Sequence, residues 1–244
     1  MSHGLPGRAG RREPASSVAS VAWGYERSLR PWLALAHRTR TARVHSEMDS
    51  DAVRRNYERI RSEVGPEVTI VAATKYVSLE EMAVLAEAGV EVVGENRAQD
   101  LEAKHAVYGD AFRWHFIGRL QSRKAKIVNG ICELCHSLET ESAARRLEIP
   151  ALVEVNLAGE ETKGGVGPSE LEAFLALYRD VRGLMTMPPE TADPEASRPF
   201  FRELRSLAQA HDLTELSMGT SQDYRVAAEE GATLIRVGSV LYAE

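Results

Sequence analysis

Residues 48–244 predict a single α/β domain, a (β/α)8 barrel of the TIM type. Three observations lead to this prediction: apolar segments of five to eight residues recur eight times, helical patterns separate them, and the composition of 43% apolar and 27% charged residues suits a globular core. Parallel strands that are covered on both faces have this apolar character. Eight such units fit a closed barrel, and an open doubly wound sheet is the alternative.

The first helical pattern spans residues 50–65. Ser50 is the predicted N-cap, four apolar side chains recur on one face, and a Gly-Pro pair ends the pattern. A second helical pattern follows at residues 78–89, where Ser78 and Glu81 form a predicted capping box. Helices therefore alternate with the apolar segments, as β/α units require.

The eight apolar segments are the predicted strands. They span residues 68–75, 91–96, 113–118, 131–138, 151–158, 181–187, 215–219 and 234–239. In a barrel of this type the functional groups lie at the carboxyl ends of the strands. Polar residues and glycines are concentrated at these ends, so we expect the functional site there.

The first predicted strand ends in a lysine, Lys75, which is a costly residue to place beside a buried strand. Strand alternation puts Lys75 on the face of Val71 and Ala73, opposite Ile70 and Ala72. If the second pair packs on the helices, Lys75 points into the barrel mouth. A desolvated lysine supplies the neutral amine that a Schiff base requires. The alternative is a lysine with a buried stem and a solvated or paired ammonium.

The last two β/α units carry an expected anion site. Gly219, Thr220 and Ser221 follow the seventh predicted strand, and Gly238 with Ser239 closes the eighth. Barrels often bind phosphate between these two loops, where main-chain N–H groups face the anion. The sequence therefore predicts a phosphate site there.

Arg236 is expected inside the barrel, because it shares a strand face with Gly238. Either it forms a salt bridge with an inward acid, for which Glu154 is the candidate, or it contacts a ligand. A lysine, a phosphate site and an arginine in one barrel mouth together suggest pyridoxal phosphate.

Six ordered motifs between Met48 and Tyr242 add a resemblance to a known family. They read VAATKYVSLEEM, GENRAQDLEAK, WHFIGRLQSRKAKIV, VEVNLAGEETKGGV, RGLMTMPP and ELSMGTSQDYRVAAEEGATLIRVGSVLY. In these motifs the chain resembles the pyridoxal phosphate homeostasis protein family, also described as alanine-racemase-like N-terminal domain proteins. The resemblance departs from the family pattern at Ser239, which replaces a threonine, at Arg123, which replaces an asparagine, and at the chain end, which lacks the usual glycine.

The resemblance implies a barrel of the alanine racemase N-terminal type that holds pyridoxal 5'-phosphate as a Schiff base on Lys75. It further implies that Arg236 faces the pyridine nitrogen, that Ser217, Met218, Gly219, Gly238 and Ser239 take the phosphate, and that Asn96 and Asn156 line the pocket. It implies no catalytic residue and no metal ligand. Its expected role is intracellular pyridoxal phosphate homeostasis, with apo forms of pyridoxal phosphate enzymes as recipients.

A carrier without turnover is the favoured interpretation. An arginine can only donate hydrogen bonds, so Arg236 disfavours a protonated pyridine and leaves the ring a poorer electron sink. Related racemases add a second acid/base group from a β domain, and only five residues follow Ser239. The alternatives are an amino-acid racemase or other pyridoxal phosphate enzyme, and a cofactor-free Schiff-base aldolase.

The first 47 residues are expected to lie outside the barrel. They carry about +5 and the remainder about −11, within a net charge of −6. We interpret them as a basic, disordered extension translated upstream of Met48, with a transit peptide as the alternative.

Composition also limits the partners and the location. The acidic domain predicts no nucleic acid partner, and the absence of a long apolar run predicts no membrane span. Cys132 and Cys135 are interpreted as reduced structural thiols of a cytoplasmic protein, rather than as a zinc site or redox pair. With no second domain to support a dimer, a monomer is expected.

Overall fold

The computed structural model describes residues 48–160, 164–178 and 180–243, so the predicted extension at residues 1–47 lies outside the described residues. Eight parallel strands in these ranges form a closed barrel in sequence order. The predicted (β/α)8 barrel is therefore confirmed, and the doubly wound sheet is excluded. Among the same residues no helix is long and apolar enough to cross a membrane.

Strands and helices alternate along the described chain. The strands are β1 (Thr69–Ala73), β2 (Val92–Glu95), β3 (Arg113–Phe116), β4 (Leu134–Leu138), β5 (Ala151–Glu154), β6 (Val181–Met185), β7 (Glu215–Ser217) and β8 (Leu234–Val237). The helices are α1 (Ser50–Val64), α2 (Met82–Glu87), α3 (Ala98–Tyr108), α4 (Ala125–Ile131), α5 (Glu141–Ala144), α6 (Leu171–Leu175), α7 (Arg198–Ala210), α8 (Tyr224–Glu229) and α9 (Ser239–Tyr242).

The strands are shorter than predicted, because ladder pairing covers only part of each predicted segment. β1 ends at Ala73, so the prediction that Lys75 belongs to the strand was wrong. β4 begins only at Leu134, so Cys132 lies before the strand and not on one of its faces. Both cysteines are buried and free, and burial raises the pKa of Cys135 to about 11, which keeps this thiol protonated at neutral pH.

Of the two predicted helix caps, the one at α1 was wrong and the one at α2 is confirmed. The N-cap of α1 is Asp49 and not Ser50, because the Asp49 carboxylate accepts hydrogen bonds from the main-chain N–H groups of Asp51 and Ala52 at 3.3 and 3.1 Å. The predicted capping box is present before α2, since the Ser78 N–H donates to Glu81 at 2.7 Å and the Glu81 N–H donates to the Ser78 hydroxyl at 3.2 Å.

An apolar layer fills the barrel interior. It consists of Val71, Val92, Ile117, Leu134, Leu152, Met185 and Leu234, with Ala73 packed against it. Ile70 and Ala72 are fully buried on the other face of β1. The predicted alternation of β1 is therefore confirmed through Ala73.

A buried ion pair lies outside the barrel, between the sheet and α3. Lys104 donates to the Glu95 carboxylate and, at 2.7 Å, to the main-chain oxygen of Thr74. The Thr74 hydroxyl donates to the same Glu95 oxygen at 2.7 Å, and the Asn96 N–H donates to its other oxygen at 3.2 Å. Because Thr74 and Asn96 follow β1 and β2, this cluster fixes the carboxyl ends of both strands.

Removal of the Lys104 ammonium should destabilise the barrel. Lys104→Met leaves the Glu95 carboxylate buried without its cation, and we expect a loss of about 3–5 kcal/mol in the free energy of unfolding by urea titration. Arg145→Met is the matched control, because it breaks an exposed pair with Glu141 that is worth at most about 1 kcal/mol. Equal losses for the two variants would contradict a structural role for the buried pair.

Candidate functional site

Lys75 lies at the carboxyl end of the barrel, two residues beyond β1, and it is exposed. Its Nζ atom is 4.6 Å from the ring centroid of Tyr76, which is itself 86% exposed. The expected desolvation of Lys75 is therefore not observed. The primary amine is instead accessible to a small molecule from solvent.

Arg236 lies inside the barrel, on the strand face of the interior residue Leu234, and only 6% of it is exposed. Its Nη1 donates to the Ser217 hydroxyl and, at 2.9 Å, to the Ser217 main-chain oxygen, and its Nη2 donates to the main-chain oxygen of Thr186 at 3.0 Å. In the described part of the chain these oxygens bind the guanidinium, and the salt bridge with Glu154, one of the two alternatives for this residue, is not formed.

Charges near Arg236 still influence its ionisation. Burial lowers the pKa of the guanidinium to about 10, and the negative charges of Glu154 and Asp223 oppose that change. Burial and the charge of Glu139 raise the pKa of Glu154 above its usual range, while Arg236 opposes the increase. Glu154 therefore compensates the charge of Arg236 without contacting it.

Two histidines that the sequence analysis did not select extend the contacts of Arg236. His136 Nδ1 lies 2.8 Å from the Ser217 hydroxyl, and His136 Nε2 lies 2.9 Å from His115 Nδ1. We call His115, His136, Ser217 and Arg236 the interior chain. Alternation could have identified the histidines, since His115 lies two residues before the interior residue Ile117 and His136 two after Leu134.

Both histidines of the interior chain are neutral. Burial and the charge of Arg113 lower the pKa of His115 to about 3. Burial, His115 and Arg236 together lower the pKa of His136 well below its usual value.

The loops after β7 and β8 meet at the Ser221 hydroxyl. This oxygen accepts hydrogen bonds from the main-chain N–H groups of Gly238 at 2.9 Å and Val240 at 3.3 Å. We call these three residues the loop cradle. Two N–H groups that converge on one oxygen form the kind of site that binds a phosphate oxygen. The predicted proximity of the two loops is therefore observed, and Ser221 is its principal residue.

Gly219 and Gly238 lie where the two loops contact neighbouring elements. Gly219 has φ +90°, and a Cβ atom there would lie 2.5 Å from the Cβ of Ala227 in α8. A Cβ atom on Gly238 would lie 3.8 Å from the Cβ of Ala73 at the end of β1. The loop cradle is thus adjacent to the strand that leads to Lys75.

The other predicted site residues occupy different positions at this end of the barrel. Met218 is buried and its N–H donates to Leu234, whereas Ser239 is exposed at the start of α9. The Asn156 amide donates to the main-chain oxygen of Glu160 at 3.0 Å. Asn96 has a buried Oδ1 that accepts no hydrogen bond from the described residues, so it can accept one from a ligand.

An open cavity of about 440 Å³ lies beside the loops that follow β3 and β4. It is lined by Arg119, Leu120, Gln121, Ser122, Arg123, Thr140 and Ser142. Arg123 donates to the Gln121 side chain at 3.1 Å. Arg123 therefore borders this cavity and not the loop cradle.

Comparison with known proteins gives a consistent result. The family model of the alanine racemase N-terminal domain matches residues 48–244. The chain is 40% identical over 196 residues to the pyridoxal phosphate homeostasis protein of Aquifex aeolicus, covering 72% of this chain and 86% of the relative. It is 42% identical over 190 residues to the protein of that name from Deinococcus radiodurans, and this match covers 72% of this chain and 89% of the relative.

Solved structures show the same relationship. PipY of Synechococcus elongatus with PLP bound is 31% identical with a TM-score of 0.69, and the match covers 78% of this chain and all of PipY. Alanine racemase of Corynebacterium glutamicum is 16% identical with a TM-score of 0.64 and shares the fold. The match covers 81% of this chain and 61% of the racemase.

Because His115 and His136 are neutral in the folded barrel, we expect the free energy of unfolding to fall as the pH falls. An unfolded histidine binds a proton with a pKa near 6.5, whereas folded His115 does so only near pH 3. Between these values the unfolded state binds more protons, so stability falls as the pH falls. We expect His115 to contribute about 2 kcal/mol of this loss between pH 6.5 and pH 5.

Urea titrations at both pH values measure this loss. His115→Leu should reduce the pH dependence, and His211→Gln, at the end of α7, should retain it. An unchanged pH dependence in His115→Leu would contradict the prediction.

Proposed function

This chain belongs to the pyridoxal phosphate homeostasis proteins of the alanine racemase N-terminal domain family, and we propose that it binds pyridoxal 5'-phosphate and serves its homeostasis. The observation that carries the proposal is the loop cradle. Its two N–H groups converge next to β1, whose chain continues to Lys75, and the cationic Arg236 is buried in the same barrel.

The residues of the barrel mouth fit a phosphorylated pyridine aldehyde. In the loop cradle the Ser221 hydroxyl occupies the two main-chain donors, and we propose that a phosphate oxygen takes its place when the cofactor binds. Arg236 offers a donor-only group for a ring nitrogen, and the unpartnered Oδ1 of Asn96 can accept a hydrogen bond from a ring hydroxyl. The residues proposed to hold the cofactor are Lys75, Asn96, Asn156, Ser217, Met218, Gly219, Arg236, Gly238 and Ser239, to which the loop cradle adds Ser221.

Lys75 is the proposed covalent attachment point. Bound pyridoxal phosphate supplies an aldehyde, with which a primary amine forms a Schiff base by losing water. Lys75 is the lysine of the family motif, and its exposure leaves the amine accessible. An accessible attachment point suits a carrier, because a second amine or water can release the cofactor.

We propose that the chain has no turnover of its own. Acid/base chemistry needs a group that can exchange a proton with the substrate. The interior histidines are unsuited to this task, since both are buried and hydrogen-bonded to each other. Arg236 binds neutral oxygens and donates only, which disfavours a protonated ring nitrogen. A cytoplasmic location, delivery to apo forms of pyridoxal phosphate enzymes and a monomeric state are part of the same proposal.

Covalent attachment can be tested at Lys75. The protein is incubated with pyridoxal phosphate, reduced with borohydride and digested, and the modified peptide is identified by mass spectrometry. We expect one modification on Lys75 in the wild type and none on that peptide in Lys75→Ala, whereas Lys126→Ala, at an exposed lysine of α4, should label like the wild type. A wild-type protein that cannot be loaded would contradict cofactor binding, and labelling of another lysine would contradict the attachment point.

Absence of turnover can be tested with the loaded protein. Racemisation and decarboxylation are followed across a panel of amino acids, and we expect rates no higher than those with the same concentration of free pyridoxal phosphate. A rate far above that background, lost in Lys75→Ala, would establish the alternative of a racemase or another pyridoxal phosphate enzyme.

A further inference from the structure

The interior chain contains more polar groups than binding Arg236 requires. The hydrogen bonds of His136 and His115 do not reach Lys75 or the loop cradle, and both rings lie inside the barrel beside its apolar layer. A buried imidazole pair is costly unless its hydrogen bonds are satisfied. Their contact with Ser217, which binds Arg236, points to a role that is exerted through that serine.

We propose that His136, oriented by His115, is a positioning residue that holds the Arg236 guanidinium in one orientation at the barrel mouth. The guanidinium has no carboxylate within hydrogen-bond distance among the described residues. Its orientation depends on three acceptors, namely two main-chain oxygens and the Ser217 hydroxyl. Only the hydroxyl can rotate, so it is the acceptor that needs to be fixed.

The chemistry of arginine sets the direction of the hydrogen bonds. A guanidinium has no acceptor, so the Ser217 oxygen must accept from Nη1 and the Ser217 hydrogen must point elsewhere. Nδ1 of His136, at 2.8 Å, is the acceptor that the described structure offers. Nδ1 therefore carries no hydrogen.

The hydrogen position on His136 also fixes the hydrogen position on His115. A neutral His136 without a hydrogen on Nδ1 carries it on Nε2 and donates to Nδ1 of His115 at 2.9 Å. His115 then carries its hydrogen on Nε2. His115 also lines a cavity of about 270 Å³ whose other lining residues include Thr69 and Thr233, next to the amino ends of β1 and β8.

The opposite direction leaves a buried donor without a partner. If His115 donated to His136 and His136 donated to Ser217, the Ser217 hydrogen would have no acceptor among the described residues, since its hydroxyl contacts only Arg236 and His136. Unsatisfied buried donors are disfavoured. The low pKa values of both histidines agree with the chosen arrangement, in which neither is a cation.

The consequence for cofactor binding rests on the proposed function. Without an acceptor at residue 136, the Ser217 hydroxyl can turn its hydrogen toward Arg236, and the guanidinium then loses one of its three acceptors. An arginine that is less well oriented should bind the ring nitrogen more weakly. We expect a loss of affinity and not a loss of covalent attachment, because Lys75 is unaffected.

The first experiment uses the full chain without cofactor and with ¹⁵N-labelled histidine and arginine. Nitrogen NMR at pH 7.5, assigned with His115→Gln and His136→Asn, should find both rings neutral with the hydrogen on Nε2. The Arg236 Nε–H signal should shift in His136→Leu and return toward the wild-type position in His136→Asn, which restores a side-chain acceptor. A hydrogen on Nδ1 of His136, or a charged His136, would overturn the proposal.

The second experiment measures pyridoxal phosphate affinity by absorbance titration. His136→Leu should weaken binding about tenfold, comparable to the loss of one hydrogen bond, and His136→Asn should recover most of that loss. His105→Leu, on α3 beside Trp114, is the control and should bind like the wild type. Equal affinity of His136→Leu and the wild type would overturn the positioning role.

The two experiments separate this inference from the proposed function. If the wild type does not bind pyridoxal phosphate, the proposed function fails, while the apo protein still decides the direction of the interior chain. If His136→Leu does not fold, the nitrogen spectrum of the wild type still decides the proposal, because a hydrogen on Nδ1 of His136 would overturn it.

Discussion

A buried guanidinium that can only donate is the constraint on which the rest of the barrel mouth depends. Arg236 is 6% exposed, and a charge removed from water must find acceptors or a counter-charge. The barrel supplies main-chain oxygens at the ends of β6 and β7, the Ser217 hydroxyl, and the more distant charge of Glu154. The polar interior chain follows from this need, because the Ser217 hydroxyl accepts a hydrogen bond from Arg236 and then needs an acceptor for its own hydrogen. One residue thus explains why polar side chains line part of an apolar barrel.

The end of β1 is fixed from two sides, although Lys75 itself is exposed. Lys104 of α3 and Glu95 of β2 bind Thr74, and the Tyr242 hydroxyl donates to the main-chain oxygen of Ala73 at 3.1 Å. A strand end that is hydrogen-bonded from two sides, followed by an accessible amine, differs from the buried lysine that the apolar segment suggested. Under the proposed function, an accessible amine suits reversible attachment better than a closed catalytic chamber, from which water would be excluded. The same arrangement explains why breaking the Lys104 pair should affect folding and only indirectly the chemistry of Lys75.

Much of the fold could be predicted from local patterns. Apolar segments alternating with helical periodicity predicted the eight units, and strand alternation correctly placed Val71 and Arg236 inside the barrel. The ends of the strands were not predictable, since ladder pairing of β1 ends at Ala73 although the next residue, Thr74, is fully buried. The N-cap of α1 was misplaced by one residue, because Asp49 and Ser50 are both good caps and the chain direction before the helix decides between them.

The sequence by itself determined the barrel, the family motifs and the residue types of the candidate site. Only the tertiary structure decided which of these residues touch. His136 and Ser217 are separated by 81 positions, and Ser221 contacts Gly238 across 17, so neither contact leaves a periodic signal. Their proximity depends on the closure of the barrel, which sets the relative heights of β3, β4, β7 and β8 around the axis. Local sequence determines which face of a strand a side chain lies on, whereas the closure of the barrel determines which other side chains it contacts.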